Sequence, residues 1–184
     1  PRMSSATTRA YYKGELQILV EGLEKLSGNK ITDEKLIKSV ETYNEARVLV
    51  KKVLELQKAD HPVITGAEAM RIMLASTNMP VEEYIELLKA FLADAPNRKP
   101  VDDYRARLMI IGSALDDPRY VEAIENKGGL VVADTLCFGS MTFGDELKVS
   151  HDDVIGSIAD YYLDRIVCPR MIDNRDALHK LIVG

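Results

Sequence analysis

The 184-residue chain carries 24 Lys and Arg against 29 Asp and Glu, a net charge of −5, and 46% of its residues are hydrophobic. That composition supplies a globular core, and with no strongly basic stretch it disfavours nucleic acid as the main partner, because phosphate binding needs a clustered positive face. No run approaches the ~18 continuous apolar residues of a membrane span, no apolar signal core follows Pro1, and two cysteines are too few for a secreted disulfide scaffold, so the expected compartment is a reducing cytoplasm.

The first half reads as helices, a helical region over residues 1–103. Leu16, Leu19, Val20, Leu23 and Leu26 recur at spacings of three and four and form one apolar stripe, which Gly28 stops. Thr32 suits the N-cap of a second helix, with Asp33 and Glu34 in its first turn against the dipole. That helix continues through Leu36, Val40, Tyr43, Arg47, Val50 and Leu54 toward Lys58. Its long stripe contains an arginine, which predicts a helix lying across a surface, not inside a core. Thr65-Gly66-Ala67-Glu68 is a capping box, opening a short helix through Leu74. Pro80 suits the first position of another helix, through Tyr84, Leu87, Leu88, Phe91 and Leu92. Pro96-Asn97-Arg98-Lys99-Pro100 then breaks the pattern and marks the expected internal boundary.

Residues 104–184 read as a partial α/β domain. Arg107 to Ile111 is a short apolar run ending in Gly112-Ser113, which predicts a buried parallel strand. Asp117-Pro118 opens a helix that Gly128 closes, and Leu130 to Ala133 predicts a second strand. Ser150-His151-Asp152-Asp153 starts a helix reaching about Arg165, and Asp173 is expected to cap a last one. This order predicts a partial doubly wound parallel sheet of the flavodoxin or Rossmann kind. Two strands make an inadequate sheet, and a helix ending in Leu181-Ile182-Val183 normally feeds a third. The missing initiator methionine and the unfinished sheet point to a truncated piece of a longer chain.

Loops at the carboxyl ends of parallel strands are where such sheets keep their chemistry. The segment Asp134-Thr135-Leu136-Cys137-Phe138-Gly139-Ser140 leaves the second strand, and Cys168-Pro169-Arg170-Met171 follows a later helix. A cysteine such as Cys137 can ligate iron or zinc, act as a nucleophile, or simply fill a core. The flanking Asp134, Thr135, Gly139 and Ser140 are unsuited to a continuing core strand and favour a cleft. Cys168 precedes a proline, which holds its backbone extended. The Gly112 and Ser113 amides suit a phosphate or thioester oxygen, although Gly112 suits a plain turn equally. Arg170 and Arg175 are candidate anion contacts. His61, His151 and His179 lack metal-ligand spacing. Neither G-x-G-x-x-G nor a P-loop is present, so nucleotide binding by those devices is unsupported.

The run from Gly129 to Ser140 resembles the 2-hydroxyacyl-CoA dehydratase and benzoyl-CoA reductase family. So do Tyr161-Tyr162-Leu163 with Cys168-Pro169-Arg170-Met171, and Gly28 to Thr32 ahead of Tyr43-Asn44-Glu45-Ala46-Arg47. The resemblance runs from about Tyr11 to Gly184. It implies a 4Fe-4S subunit of an oxygen-sensitive enzyme, paired with a homologous second subunit and fed one electron by an ATP-dependent activator protein. The implied substrate is an acyl-CoA, dehydrated through a ketyl radical anion, or an aryl-CoA reduced at its ring. Met141 departs from the pattern, in which arginine follows Gly-Ser, and the family's cluster cysteines fall largely outside this chain. Cleft lining is the role expected of Gly112, Ser113, Asp134, Thr135, Cys137, Gly139, Ser140, Cys168 and Arg170, and the resemblance implies it for Cys137 and Cys168. No metal ligand is assigned here, Cys137 and Cys168 being the sole candidates. A competing expectation is a non-catalytic homologous subunit whose long helices serve assembly.

Overall fold

A computed structural model describes residues 5–165 and His179. The helix expected after Asp173, the arginines Arg170 and Arg175, and Cys168 lie outside the described residues. The chain divides into two compact units, Pro1–Glu41 with Leu147–Gly184, and Thr42–Glu146.

In the first unit, α1 (Ala6–Ser27) starts at Ser5, whose side chain accepts from the Thr8 N–H. It ends at Gly28, whose φ of 71° is the left-handed conformation that glycine tolerates best. None of its residues is buried, and Leu19, Leu23 and Leu26 of the predicted stripe stand 56%, 44% and 85% exposed. It packs on α6 (Val154–Arg165). Arg9 bridges Asp160 and Asp164, and Lys13 reaches Asp153 at 2.7 Å.

Asp153 also accepts from the Gly156 N–H at 2.9 Å, so it closes the start of α6. The Lys13 ammonium, then that amide, hold its carboxyl below the ordinary carboxylate range. A depressed folded-state value stabilises above the unfolded pKa and is lost as pH falls through the folded one. Asp153→Ala is thus expected to cost about 1 kcal/mol at pH 7, the usual worth of an N-cap. The gap from the parent should narrow below about pH 4. Melting curves at pH 7 and pH 3 check this, and an equal gap at both would refute it.

α2 (Asp33–Lys58) begins in the first unit, and its part in the second buries Ala46, Arg47, Leu49, Val50, Val53 and Gln57. The surface placement expected for this helix therefore fails from Ala46 onward. Arg47 is 7% exposed and donates to Asn44 Oδ1 at 3.0 Å, so its charge is carried inside on a polar partner. α2 packs with α3 (Gly66–Ala75) and α4 (Val81–Asp94) in one core containing Val50, Val53, Ile64, Met73, Ile85 and Leu88. The capping box is present, Thr65 accepting from the Glu68 N–H and Glu68 from the Thr65 N–H. Pro80 is the N-cap of α4, one place earlier than expected. Tyr84 donates its hydroxyl to the Ile72 carbonyl at 3.0 Å, and burial pushes its phenol pKa up.

β1 (Ala106–Ile110), α5 (Pro118–Glu125) and β2 (Gly129–Asp134) form a βαβ unit, and the two strands pair in parallel. Asp117 caps α5, and Gly128 turns the chain into β2 at φ 84°. The register slips between Leu108 and Met109, leaving Val132 as an extra residue in β2. The structure corrects the first strand: it begins one residue earlier than expected, and it is not buried. Ala106 to Leu108 are exposed, whereas Leu130 and Val131 in β2 are buried. The reason is the packing order: α3 and α5 lie on β2, leaving β1 chiefly β2 as a neighbour.

Candidate functional site

β1 and β2 end side by side, which brings two separated segments together at their carboxyl ends. Thr135 donates its N–H to the Ile110 carbonyl at 2.9 Å, and Cys137 to the Ser113 carbonyl at 3.2 Å. The segment of Gly112 and Ser113 thus lies beside the segment from Asp134 to Ser140. Cys137 is a free, exposed thiol, and Phe138, next to it in the chain, and Ile111, just after β1, are 39% and 53% exposed. The N–H groups of Gly112 and Ser113 donate to no described residue. Thr135, in contrast, is 2% exposed, and Gly139 is buried, so these two face the interior.

Asp134 organises the turn. Its Oδ1 accepts from the Leu136 and Ser140 N–H groups, each at 2.9 Å, and the Ser140 hydroxyl donates to its backbone carbonyl at 2.7 Å. A Cβ on Gly139 would lie 2.1 Å from that same Oδ1, so glycine is what lets the loop fold over the carboxylate. Thr142 donates its hydroxyl to the Cys137 carbonyl at 2.8 Å and holds the far side. Asp134 therefore supports the segment that presents the thiol, and its carboxylate is occupied by the loop's own amides.

The opposite end of the strands carries a feature that sequence reasoning does not find. A cavity of about 990 Å³ opens there, lined by Thr65, Arg71, Tyr104, Arg105, Glu122 and Gly128 among others. Four of its charged side chains are engaged by neighbours. Arg71 pairs with Glu122, Arg105 donates to the Lys127 carbonyl, and Glu125 accepts from the Gly66 and Ala67 amides at 2.7 and 3.2 Å. The Gly128-Gly129 step into β2 is the available signal, and by itself it reads only as a helix stop.

A four-iron cluster is normally held by four cysteine thiolates. The chain has two cysteines, and Cys137 alone lies among the described residues. Among those residues no group of three or more His, Cys, Asp or Glu side chains could hold a metal ion. The donor set described here does not fit such a cluster. Among the described residues, no helix is long and apolar enough to cross a membrane.

Residues 1–183 match the family described as 2-hydroxyglutaryl-CoA dehydratase, D-component. A benzoyl-CoA reductase subunit from Thauera aromatica is 38% identical over 144 residues, covering 77% of this chain and 37% of that protein. The beta subunit of (R)-phenyllactyl-CoA dehydratase from Clostridium sporogenes is 25% identical, covering 73% and 36%. The beta subunit of (R)-2-hydroxyglutaryl-CoA dehydratase from Acidaminococcus fermentans is 22% identical, covering 74% and 36%. The matched stretches thus span little more than a third of these relatives' own lengths.

Proposed function

Because the chain belongs to the 2-hydroxyglutaryl-CoA dehydratase D-component family, we propose that it is part of a subunit of an enzyme acting on a CoA thioester. The reaction is removal of water from a 2-hydroxyacyl-CoA or reduction of an aryl-CoA. The observation that carries this reading is the family match over residues 1–183. The higher identity to a reductase subunit favours the reductase branch, and all three relatives are named as subunits, which supports a second subunit as partner. An ATP-dependent activator protein and a cytoplasmic setting belong to the same reading.

This chain's share of the chemistry falls to the carboxyl end of the strands. The Gly112 and Ser113 amides are suited to donate to a thioester or phosphate oxygen, as backbone donors do wherever negative charge must be met. The exposed Phe138 and Ile111 side chains supply apolar surface for the acyl or aryl part. Asp134 and Gly139 hold these groups in place and keep the Cys137 thiol facing outward. A 4Fe-4S cluster, if the enzyme carries one, takes its thiolates chiefly from segments other than residues 5–165, since those residues contribute one cysteine.

The test is made on the whole protein with its partner, purified without oxygen. Binding and turnover of a 2-hydroxyacyl-CoA or an aryl-CoA are expected, and the absence of both after cluster reconstitution would end the reading. In the same preparation Cys137→Ala is expected to lower kcat/KM at least about tenfold, equivalent to ~1.4 kcal/mol. An unchanged kcat/KM would remove Cys137 from the site.

A further inference from the structure

Gln57, in the last turn of α2, is a polar side chain only 2% exposed. Its Nε2 donates to the Val131 carbonyl of β2 at 2.9 Å, while the Val131 N–H goes to Glu125 Oε1 at 3.3 Å. Both backbone groups of that residue are therefore met by side chains. A carbonyl only accepts, so the donor end of the Gln57 amide must face Val131, and this fixes which branch is Oε1. Oε1 is buried and accepts from no group among the described residues.

The protein donors around it are already engaged. The Gly66 and Ala67 N–H groups, like that of Val131, donate to Glu125. Arg107, which reaches the end of α2 from β1, donates to the Lys58 and Ala59 carbonyls. A buried oxygen without a donor is costly, and native proteins satisfy nearly all such atoms with a protein group or an ordered water.

A second observation lies one residue further along β2, where Val132 is the extra residue of the register slip. A parallel neighbour would meet the Val131 carbonyl with its own N–H and the next outward N–H, that of Ala133, with its own carbonyl. Gln57 imitates the first half of this pattern through Nε2. The bulge interrupts the second half, because an extra residue leaves the ladder open at that point.

We propose that an internal water molecule is bound at this bulge. It donates one hydrogen to Gln57 Oε1 and completes its bonds on the Glu125 carboxylate and on the backbone opened at Val132 to Ala133. Oε1 and the carboxylate are both acceptors, so the occupant donates twice, as buried waters do at polar sites. Glu125 also lines the cavity at the amino ends of the strands, which gives the water its way in. Bound there, it fixes the slip just before Asp134 opens the loop that carries Cys137. The inference does not depend on the proposed reaction and would stand if no CoA thioester were bound.

A crystal structure of the whole protein, at a resolution that orders internal waters, tests it. A water is expected about 2.8 Å from Gln57 Oε1, with a second contact on Glu125 or on the Val132 to Ala133 backbone. In solution, water-oxygen magnetic relaxation dispersion should count fewer long-lived internal waters in Gln57→Met than in the parent. Methionine has a similar length and neither polar group, so it removes the site without opening a large cavity. A protein donor on Oε1, the Arg107 guanidinium above all, would overturn the proposal, as would an Oε1 with no density beside it. An unchanged water count in a folded Gln57→Met protein would do the same, and if that variant does not fold the crystal structure decides alone.

Discussion

Gly66→Ala is expected to lower the unfolding free energy by about 3 kcal/mol, the upper part of the usual range for overpacking. The added methyl would meet Val131 Cβ at 2.4 Å and the Val131 carbonyl oxygen at 2.7 Å. Neither is the free end of a flexible chain, so the start of α3 must move off β2. That movement stretches the bonds from the Gly66 and Ala67 amides to Glu125, at 2.7 and 3.2 Å, and disturbs the Gln57 contact with Val131. Each hydrogen bond to a charged group contributes roughly 1.5–3 kcal/mol, so partial loss of the set amplifies the steric cost. The melting temperature should fall by roughly 6–12 °C. Gly14→Ala and Gly22→Ala in α1 provide the contrast, since a Cβ at either meets nothing within 4 Å. There the same change should stabilise by about 0.5–1 kcal/mol, through helix propensity alone. A Gly66→Ala protein melting within about 2 °C of the parent would show that α3 does not press on β2 as described.

Gly139→Ala should cost about 2 kcal/mol and, on the proposed function, most of the activity as well. Its Cβ would fall 2.1 Å from Asp134 Oδ1 and 2.8 Å from Asp134 Cγ. To admit it, the short Asp134 side chain must rotate away from the Leu136 and Ser140 amides, leaving two loop donors without their acceptor. The loop that presents Cys137 then loses its fixed form. Cys137 labelling by a maleimide and kcat/KM for acyl-CoA report the change, and both should shift together. The double variant Asp134→Ala/Gly139→Ala isolates the cause, because removing the carboxylate removes the clash. Its stability loss is expected to be smaller than the sum of the two single losses, by at least about 0.5 kcal/mol. Strict additivity would refute the contact between these residues.

The two variants depend on contacts of different reach. Asp134 and Gly139 are five positions apart, and a glycine following an Asp-Thr loop is visible in the sequence. Its need for a missing side chain is not, because that need comes from how the turn folds back over the carboxylate. Gly66 and Val131 belong to separate elements, and nothing near Gly66 in the chain announces the strand against it. The capping box at Thr65 is legible, although the more consequential anchor at that helix end is Glu125, 59 positions away. The segments bearing Gly112 and Cys137 can be paired from the sequence, because consecutive parallel strands place their following loops at one end. The inward turn of Thr135 cannot, since a strand end alternates its faces and the register slip at Val132 shifts that alternation. The cavity at the amino ends escapes notice for a related reason. It is assembled from the start of α3, the approach to β1 and the end of α5, three segments with no shared sequence mark.

What the amino-acid order determined alone is where several of the elements start and stop. Gly28, Thr65 with Glu68, Asp117-Pro118 and Gly128 act on backbone groups within about four residues, so their effect needs no distant partner. What only the tertiary structure decided is burial. The apolar stripe of α1 and the apolar run of β1 resemble core segments in composition, yet α1 buries no residue and β1 is exposed over Ala106 to Leu108. Whether an apolar side chain is covered depends on which surface arrives opposite it, and pairwise periodicity along one segment contains no information about that second surface.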